Sequence, residues 1–586
     1  MESGSLEQRK MITEKLLNTP ISNQRGGFRT LPFIIATEAF ESVATIGLAP
    51  NMILYLTREY GLGLIQGTNI ILIWTSASSF LPVLGAFLCD SFVGRFRMIA
   101  FGSVITLLGT IVLWLTATIP QARPSCGQFA EHCQSATTYQ LVFLCSAFGL
   151  LSIGGGGIRS SSLAFGADQV THNTDTERNS GLLQSFFSWY YVATCVGALV
   201  AVTGVVSIQD SMGWQVGFGV PVVLMLFSVL LFLLASPFYV KVRANSSLLT
   251  GFAQVLVASY KNRDLSVSSE STTQRYYHKG DSVLTMPCDK ISFLNKACII
   301  RNPEHDLNPD GRASDPWSLC TVEQVEELKA LIKVIPIWST GIMVSVCVNQ
   351  NTFATLQAAS MDRHVTSSYK FPAGSFSSFL IISLTVGIAL YDRVILPLAS
   401  KIMGKPVRLG VRERMGLGIL FCCLSMAVSA IVESVRREIA ANNGISDDLE
   451  AIVPMSAMWL IPQFCLNGLA EGFNAISQNE FYYSEFPRSM SSIASTLFGL
   501  GMGAASLLSS LIIRSVDSAT RTWGGESWIP SNINKGHYDY YYGLLACLCL
   551  VNFWYFVICF RAYGPCEDGT SKIWDEVEKE VRDDDV

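Results

Sequence analysis

Glu38 and Glu41 stand three residues apart inside an otherwise apolar stretch, LPFIIATEAFESVATI. On a helix that spacing puts both carboxyls on one face. Two carboxylates that close in a low dielectric cannot both ionise cheaply. A carboxyl that keeps a proton there, and can load and release it on opposite sides of a barrier, is a proton carrier. The alternative is a structural pair hydrogen-bonded to neighbouring helices. Arg159 follows Gly154-Gly155-Gly156-Gly157-Ile158, and glycines let helices approach closely. A cation in such surroundings calls for an anion, from the protein or from a substrate. Glu471, in NGLAEGF, is the candidate partner from the other half of the chain. The two would form a latch that breaks when substrate or proton arrives; otherwise each snorkels to an interface. Asp90 and Arg95, in GAFLCDSFVGRF, fit a gating and positioning loop, or a plain turn. Trp74, Tyr190, Trp338 and Phe473 could line a cavity, although aromatics in apolar helices often face lipid or protein.

What must position these residues follows from composition. Of 586 residues half are hydrophobic and 15% are charged. A soluble domain carries about a quarter charged residues. The charge deficit points to a membrane protein, where an ionisable group costs about 2.5–3.5 kcal/mol to insert and marks function by default. The net charge of −5 gives no basic surface for nucleic acid. Sixteen Cys are present, and Cys422, Cys423, Cys465, Cys547 and Cys549 lie in apolar runs, where Cys packs as a small hydrophobe. With no CxxC pair and six scattered His, no zinc site is expected. No nucleophile–base pair or phosphate loop appears, so the sequence predicts neither an enzyme nor a cofactor.

A hydrocarbon core needs about 20 apolar residues per helix. Twelve runs meet that length, near 31–56, 68–91, 97–119, 139–160, 182–207, 216–238, 329–352, 375–398, 414–433, 452–479, 491–514 and 540–561. The polar N-terminus has no cleavable leader pattern. Arg95, Arg97, Lys241, Arg243, Lys261, Arg263, Arg393, Lys401, Lys405, Arg408, Arg412 and Arg414 collect on the side of the N-terminus, which is then cytoplasmic. Arg436 and Arg437 fall on the outer side, against that rule. The expectation is an all-α membrane protein: a cytoplasmic tail (1–30), a six-helix bundle (31–238), a cytoplasmic linker (239–328), a second six-helix bundle (329–562) and an acidic tail (563–586). The linker ends in a capped amphipathic start at Thr321. Cys126 and Cys133, in the loop after the third span, are either bridged or free. Six plus six spans around a central linker is similar to the major facilitator layout, in which two halves rock about a midplane site.

Longer motifs carry a closer resemblance. GGFRTLPFIIATEAFES, NMILYL, GAFLCDSFVGRF, GGGGIRSSSLAFGADQ, FFSWYYVATCVGALVA, FLNKA, VIPIWSTGI, LQAASMDR, FPAGSF, YDRVILP and NINKGHYDYYY together resemble the plant nitrate/peptide transporter family, within the proton-coupled oligopeptide transporters, and its first plant subfamily in particular. The match runs from Gly26 to about Pro565. The resemblance implies a secondary transporter that moves a small solute by alternating access, with protons as the coupled ion and the bilayer as solvent. It implies that Glu38 and Glu41 are the glutamates of an ExxE[RK] coupling motif, with Ser42 where the family has Arg or Lys. Arg159 falls at the family's fourth-span cation and Glu471 at its tenth-span glutamate, as an inter-half salt bridge or as substrate contacts. Near Val348 the seventh-span His used for nitrate by one member is missing, and Asn349 and Gln350 could hydrogen-bond a hydroxyl or amide there. Cys195 replaces the usual fifth-span Asn. Family substrates include nitrate, peptides, hormones and glycosylated metabolites, and these departures shift weight toward the last two. Ser42 motivates a second reading, a proton-independent facilitator; a transporter-like sensor is a third. The resemblance implies the plasma membrane, with the vacuolar membrane as the alternative.

Overall fold

The computed structural model describes residues 27, 30–124, 136–171, 176–241, 248–264, 276–278, 286–288, 290–367, 369–404, 409–448, 451–487, 490–524 and 527–563. Cys126, Cys133 and the acidic tail lie outside them. In chain order the helices are α1 Leu31–Ile46, α2 Met52–Arg58, α3 Leu64–Leu88, α4 Arg95–Thr118, α5 Thr138–Thr171, α6 Thr176–Val200, α7 Val206–Leu234, α8 Leu248–Lys261, α9 Val322–Val348, α10 Asn351–Ala359, α11 Ser377–Leu390, α12 Leu396–Met403, α13 Val411–Asn442, α14 Ile461–Glu485, α15 Ser491–Gly524 and α16 Tyr538–Ala562.

Among the described residues nine stretches are long and apolar enough to cross a membrane. The expected twelve differ from these nine for physical reasons. The stretch Ser185–Phe238 holds two helices, broken at Gly213, whose φ of 81° leaves the helical region. The first span is interrupted: α1 stops at Gly47 after 16 residues and α2 resumes at Met52. The tenth, α14, carries Gln463, Asn467, Glu471, Asn474 and Gln478, too polar to register as apolar. Residues 453–456, expected as the start of that span, instead form a short strand, Val453–Ser456, pairing in parallel with Met361–Asp362.

Local chemistry sets the boundaries. Thr321 caps α9: its hydroxyl accepts from the Gln324 N–H, and the Gln324 side chain accepts from the Thr321 N–H. That cap starts α9 seven residues before the run read from apolarity. α3 ends in a π-helical turn, Cys89–Val93, closed by Gly94 at φ 81°, where an L side chain would be strained. A second π turn, Tyr391–Ile395, follows α11. Such turns re-aim side chains and recur at functional positions.

The chain forms two compact units. The first comprises the described residues of Met1–Leu48, Leu84–Ala122 and Thr138–Ala244; the second those of Ala49–Val83, Arg123–Thr137 and Asn245–Val586. In the first unit α4 and α5 pack backbone to backbone. A Cβ at Gly154 would fall 2.5 Å from the Thr106 amide nitrogen and 2.6 Å from the Gly102 oxygen. Gly154→Val is therefore expected to lower the melting temperature of the purified protein sharply, since overpacking costs about 1–3 kcal/mol or more. Gly155→Ala should leave it unchanged, because the space beside Gly155 is open. Thermal unfolding followed by size exclusion in detergent separates the two outcomes. In the second unit Gly503 on α15 packs against Ser79 and Phe80, and the Ser76 hydroxyl donates to the Gly503 carbonyl at 3.1 Å.

Candidate functional site

α1 carries both glutamates into the interior of the first unit. Glu38 is 8% exposed and Glu41 3%. Their hydrogen bonding is unequal. The Ser162 hydroxyl donates to Glu38 Oε2 at 3.0 Å, and the Tyr190 hydroxyl bonds the same carboxyl. Glu41 receives only a long contact, 3.5 Å from the Thr45 hydroxyl, whose bond to the Glu41 backbone carbonyl is shorter at 3.0 Å. A buried carboxylate is costly to keep ionised, and the fewer its donors the greater that cost.

Both carboxyls line a cavity of about 10 Å³, together with Ser103, Ser162 and Ser228 on a wall completed by Ile99 and Phe165. That is room for roughly one water, provided polar partners are present. The Ser103 hydroxyl, 2% exposed, has no hydrogen-bond partner among the described residues. Below the cavity Phe96, Phe165, Phe232 and Tyr239 form one aromatic cluster, with Phe96 stacked on Phe232 at 5.4 Å. It closes one side with apolar mass.

Ser42 is 2% exposed and faces α6, where a Cβ on Gly197 would stand 3.1 Å from the Ser42 Cβ. The absence of a side chain on Gly197 is what lets α6 approach α1 closely at Ser42. The positive charge comes from Arg159 on α5, whose field reaches both carboxyls. Arg159 is exposed and makes no ion pair or hydrogen bond within its unit among the described residues. Its guanidinium is thus available to a mobile partner while influencing the pair at a distance.

The loop after α3 is organised by charge. Arg95 Nη1 lies 2.6 Å from Asp168 Oδ1, while Arg95 Nε is 4.0 Å from Asp90 Oδ1. Asp168 at the end of α5, which the sequence reading did not single out, is the closer partner. Its position in GADQ, four residues after Ala164, whose carbonyl also accepts from Arg95, is the signal that was available.

In the second unit Glu471 is half-buried on α14 and has no hydrogen bond or ion pair among the described residues of that unit. Phe473 is buried against Tyr391 and Phe421. Trp338 donates its indole N–H to the Leu497 carbonyl at 2.8 Å. Trp74 is half-buried on α3, in the same unit. Asn349 reaches Ser506 and Ser509 on α15, each at 3.3 Å, and Gln350 is held between Val346 and Tyr541. These two amides fasten the break between α9 and α10 to neighbouring helices.

The outer-side arginines have partners. Glu433 and Arg436, both fully buried on α13, form a two-pronged pair at 2.8 Å for each bond. Gln357 donates to Glu433 at 2.6 Å, and Arg436 donates to Asn534 Oδ1 and to the Ile533 carbonyl. Arg437 meets Asp539 at 3.3 Å. Arg436 is thus neutralised in the interior of the second unit, and the half-buried Arg437 is paired.

The chain is predominantly helical, with nine described stretches apolar enough to cross a membrane and charged groups held among them, the architecture of transporters of the major facilitator type. The chain belongs to the POT family, whose model matches residues 96–529. It is 54% identical over 551 residues to the Arabidopsis thaliana protein NRT1/PTR FAMILY 1.2, covering 93% of this chain and 91% of that one. It is 52% identical over 563 residues to NRT1/PTR FAMILY 1.1 of the same plant, covering 95% of each. Among solved structures, the POT family transporter PepTSo superposes with a TM-score of 0.67 at 17% identity, covering 91% of this chain and 98% of that one. A POT family transporter in complex with 5-aminolevulinic acid gives 0.59 at 14%, covering 92% and 99%. These likenesses carry the fold.

Proposed function

We propose that this chain is a proton-coupled symporter of a small organic solute. The observation that carries the reading is the unequal buried pair: Glu38 held by Ser162 and Tyr190, and Glu41 with one long contact beside a water-sized polar cavity. Glu41, with the fewer donors, is the carboxyl suited to take and give up the proton, while Ser162 and Tyr190 fix the Glu38 carboxyl in place. Arg159 couples to both by its charge and is free to meet an anionic group of the solute, or Glu471 when no solute is present. Residues 31–238 and 329–562 are the two halves that alternate access, joined by the linker 239–328. A solute bearing a carboxylate or phosphate-like anion fits Arg159 better than a neutral sugar. Glycosylated or hormone-like acids are favoured over nitrate, for which no His stands near Val348. The plasma membrane is the proposed site of action.

Uptake into oocytes expressing the chain tests this reading, with nitrate, a dipeptide mixture, plant hormone acids and glycosides offered at acidic and at neutral external pH. The expected result is accumulation of an organic acid, faster at acidic pH and abolished by a proton ionophore. Ser42 supports one second reading, a facilitator driven by the solute gradient alone. Equal uptake at both pH values, insensitive to the ionophore, would establish that reading instead.

A further inference from the structure

Three cysteines far apart in sequence converge inside the second unit. Cys347 ends α9, Cys422 lies on α13 and Cys549 is in the middle of α16. The Cys347 and Cys549 sulfurs are 3.2 Å apart, those of Cys422 and Cys549 3.5 Å apart, and all three lie within 4.8 Å of one another. Each residue is at most 1% exposed. Read along the sequence, each looks like a small hydrophobe in an apolar run. Packing of three helices turns them into one cluster of soft donors.

We propose that Cys347, Cys422 and Cys549 form a binding site for a soft monovalent metal ion, copper(I). Three features select that ion. The donors are all sulfur, with no His or carboxylate in the group among the described residues, and thiolate sulfur favours copper(I) over hard cations. The count is three. Zinc in structural sites takes four ligands in a tetrahedron, and no fourth donor among the described residues lies within 4.8 Å of all three sulfurs, Cys423 approaching Cys549 alone. The spacing also fits. A planar three-sulfur site with bonds of ~2.3 Å separates its sulfurs by about 4 Å. The sulfurs here need to spread by less than an ångström from 3.2 and 3.5 Å to reach that separation. Charge balance is met without a buried counter-ion: the ion's single positive charge replaces one thiol proton, which leaves to solvent, and the site stays neutral. A further thiol that ligates as thiolate releases its own proton, and affinity rises with pH accordingly.

The consequence is structural. Bound metal ties α9, α13 and α16 at one point, three residues from Gln350, which accepts a hydrogen bond from the Tyr541 hydroxyl. Ion binding to the folded state alone raises the unfolding temperature.

The test uses the purified full-length chain in detergent, reduced and under anaerobic conditions. Silver(I), a redox-inert stand-in for copper(I), is titrated against a soluble thiol competitor. The expected result is one competitor-resistant silver ion per chain and a raised unfolding temperature. Cys549→Ala and Cys347→Ala should each lose that ion, and Cys145→Ala, at an exposed cysteine of the first unit, should keep it. An equal count in all four proteins would place the ion on other cysteines and overturn the proposal, as would the absence of any resistant ion. If either alanine variant fails to fold, X-ray absorption of the copper(I)-loaded native chain decides. Three sulfur neighbours at one distance support the site, and nitrogen or oxygen neighbours refute it.

Discussion

Arg436→Met should leave the chain unable to accumulate as a folded, monodisperse protein. The substitution removes one partner of a fully buried ion pair and strands the Glu433 carboxylate. It also strips donors from the Asn534 side chain and the Ile533 carbonyl. Breaking a buried pair from one side costs about 3–5 kcal/mol, a large share of a typical folding free energy. The double change Glu433→Leu with Arg436→Met removes both charges together. It should recover most of the loss, since apolar replacement of a whole buried pair is often near neutral. Recovery should be incomplete, because Gln357 loses its acceptor and the Ile533 carbonyl loses its donor. Fluorescence-detected size exclusion across a temperature series checks the order: native most stable, double variant next, Arg436→Met least. If Arg436→Met matches the native protein, the pair does not anchor the fold.

The same pair illustrates what sequence could and could not convey. Two arginines on the outer side stood out as exceptions to the charge rule, but their partners lie three residues away in one case and about a hundred in the other. Helical spacing made Glu433 findable; Asp539, Asn534 and Gln357 required the tertiary packing. Apolar length located the centre of each span, because the bilayer imposes one length on each, but α5, α13 and α15 run 11, 9 and 10 residues past the ends read from apolarity. It failed where the chain departs from an unbroken apolar helix: at Gly47, at Gly213 and along polar α14. Glu38 and Glu41 were legible as a pair from spacing alone. Their inequality was not, since it depends on Ser162 and Tyr190 arriving from α5 and α6. Ser42 reads as a missing charge along the chain and as a close helix contact with Gly197 in three dimensions. The cysteine trio was invisible to local spacing rules, because its members come from three helices.

Glu41→Gln should abolish proton-driven accumulation while sparing the fold. The amide keeps the size of the protonated acid and can still accept the long Thr45 contact, but it cannot release a proton. Substrate binding and exchange should persist, and uptake against a gradient should fall to the level of membranes lacking the protein. The direction with pH follows from the same chemistry. Protonation of Glu41 from outside is favoured as external pH falls, so native uptake rises toward acid, whereas the glutamine variant is flat.

Proton movement itself is the most direct measurement. The purified chain is placed in liposomes with a trapped pH indicator, and the solute identified by uptake is added outside with no pH gradient imposed. Under proton coupling through Glu41, solute addition acidifies the lumen of vesicles holding the native protein, and Glu41→Gln vesicles take up solute only to equilibrium with no change in internal pH. Solute entry without acidification in the native protein, at the same rate as in Glu41→Gln, would contradict it.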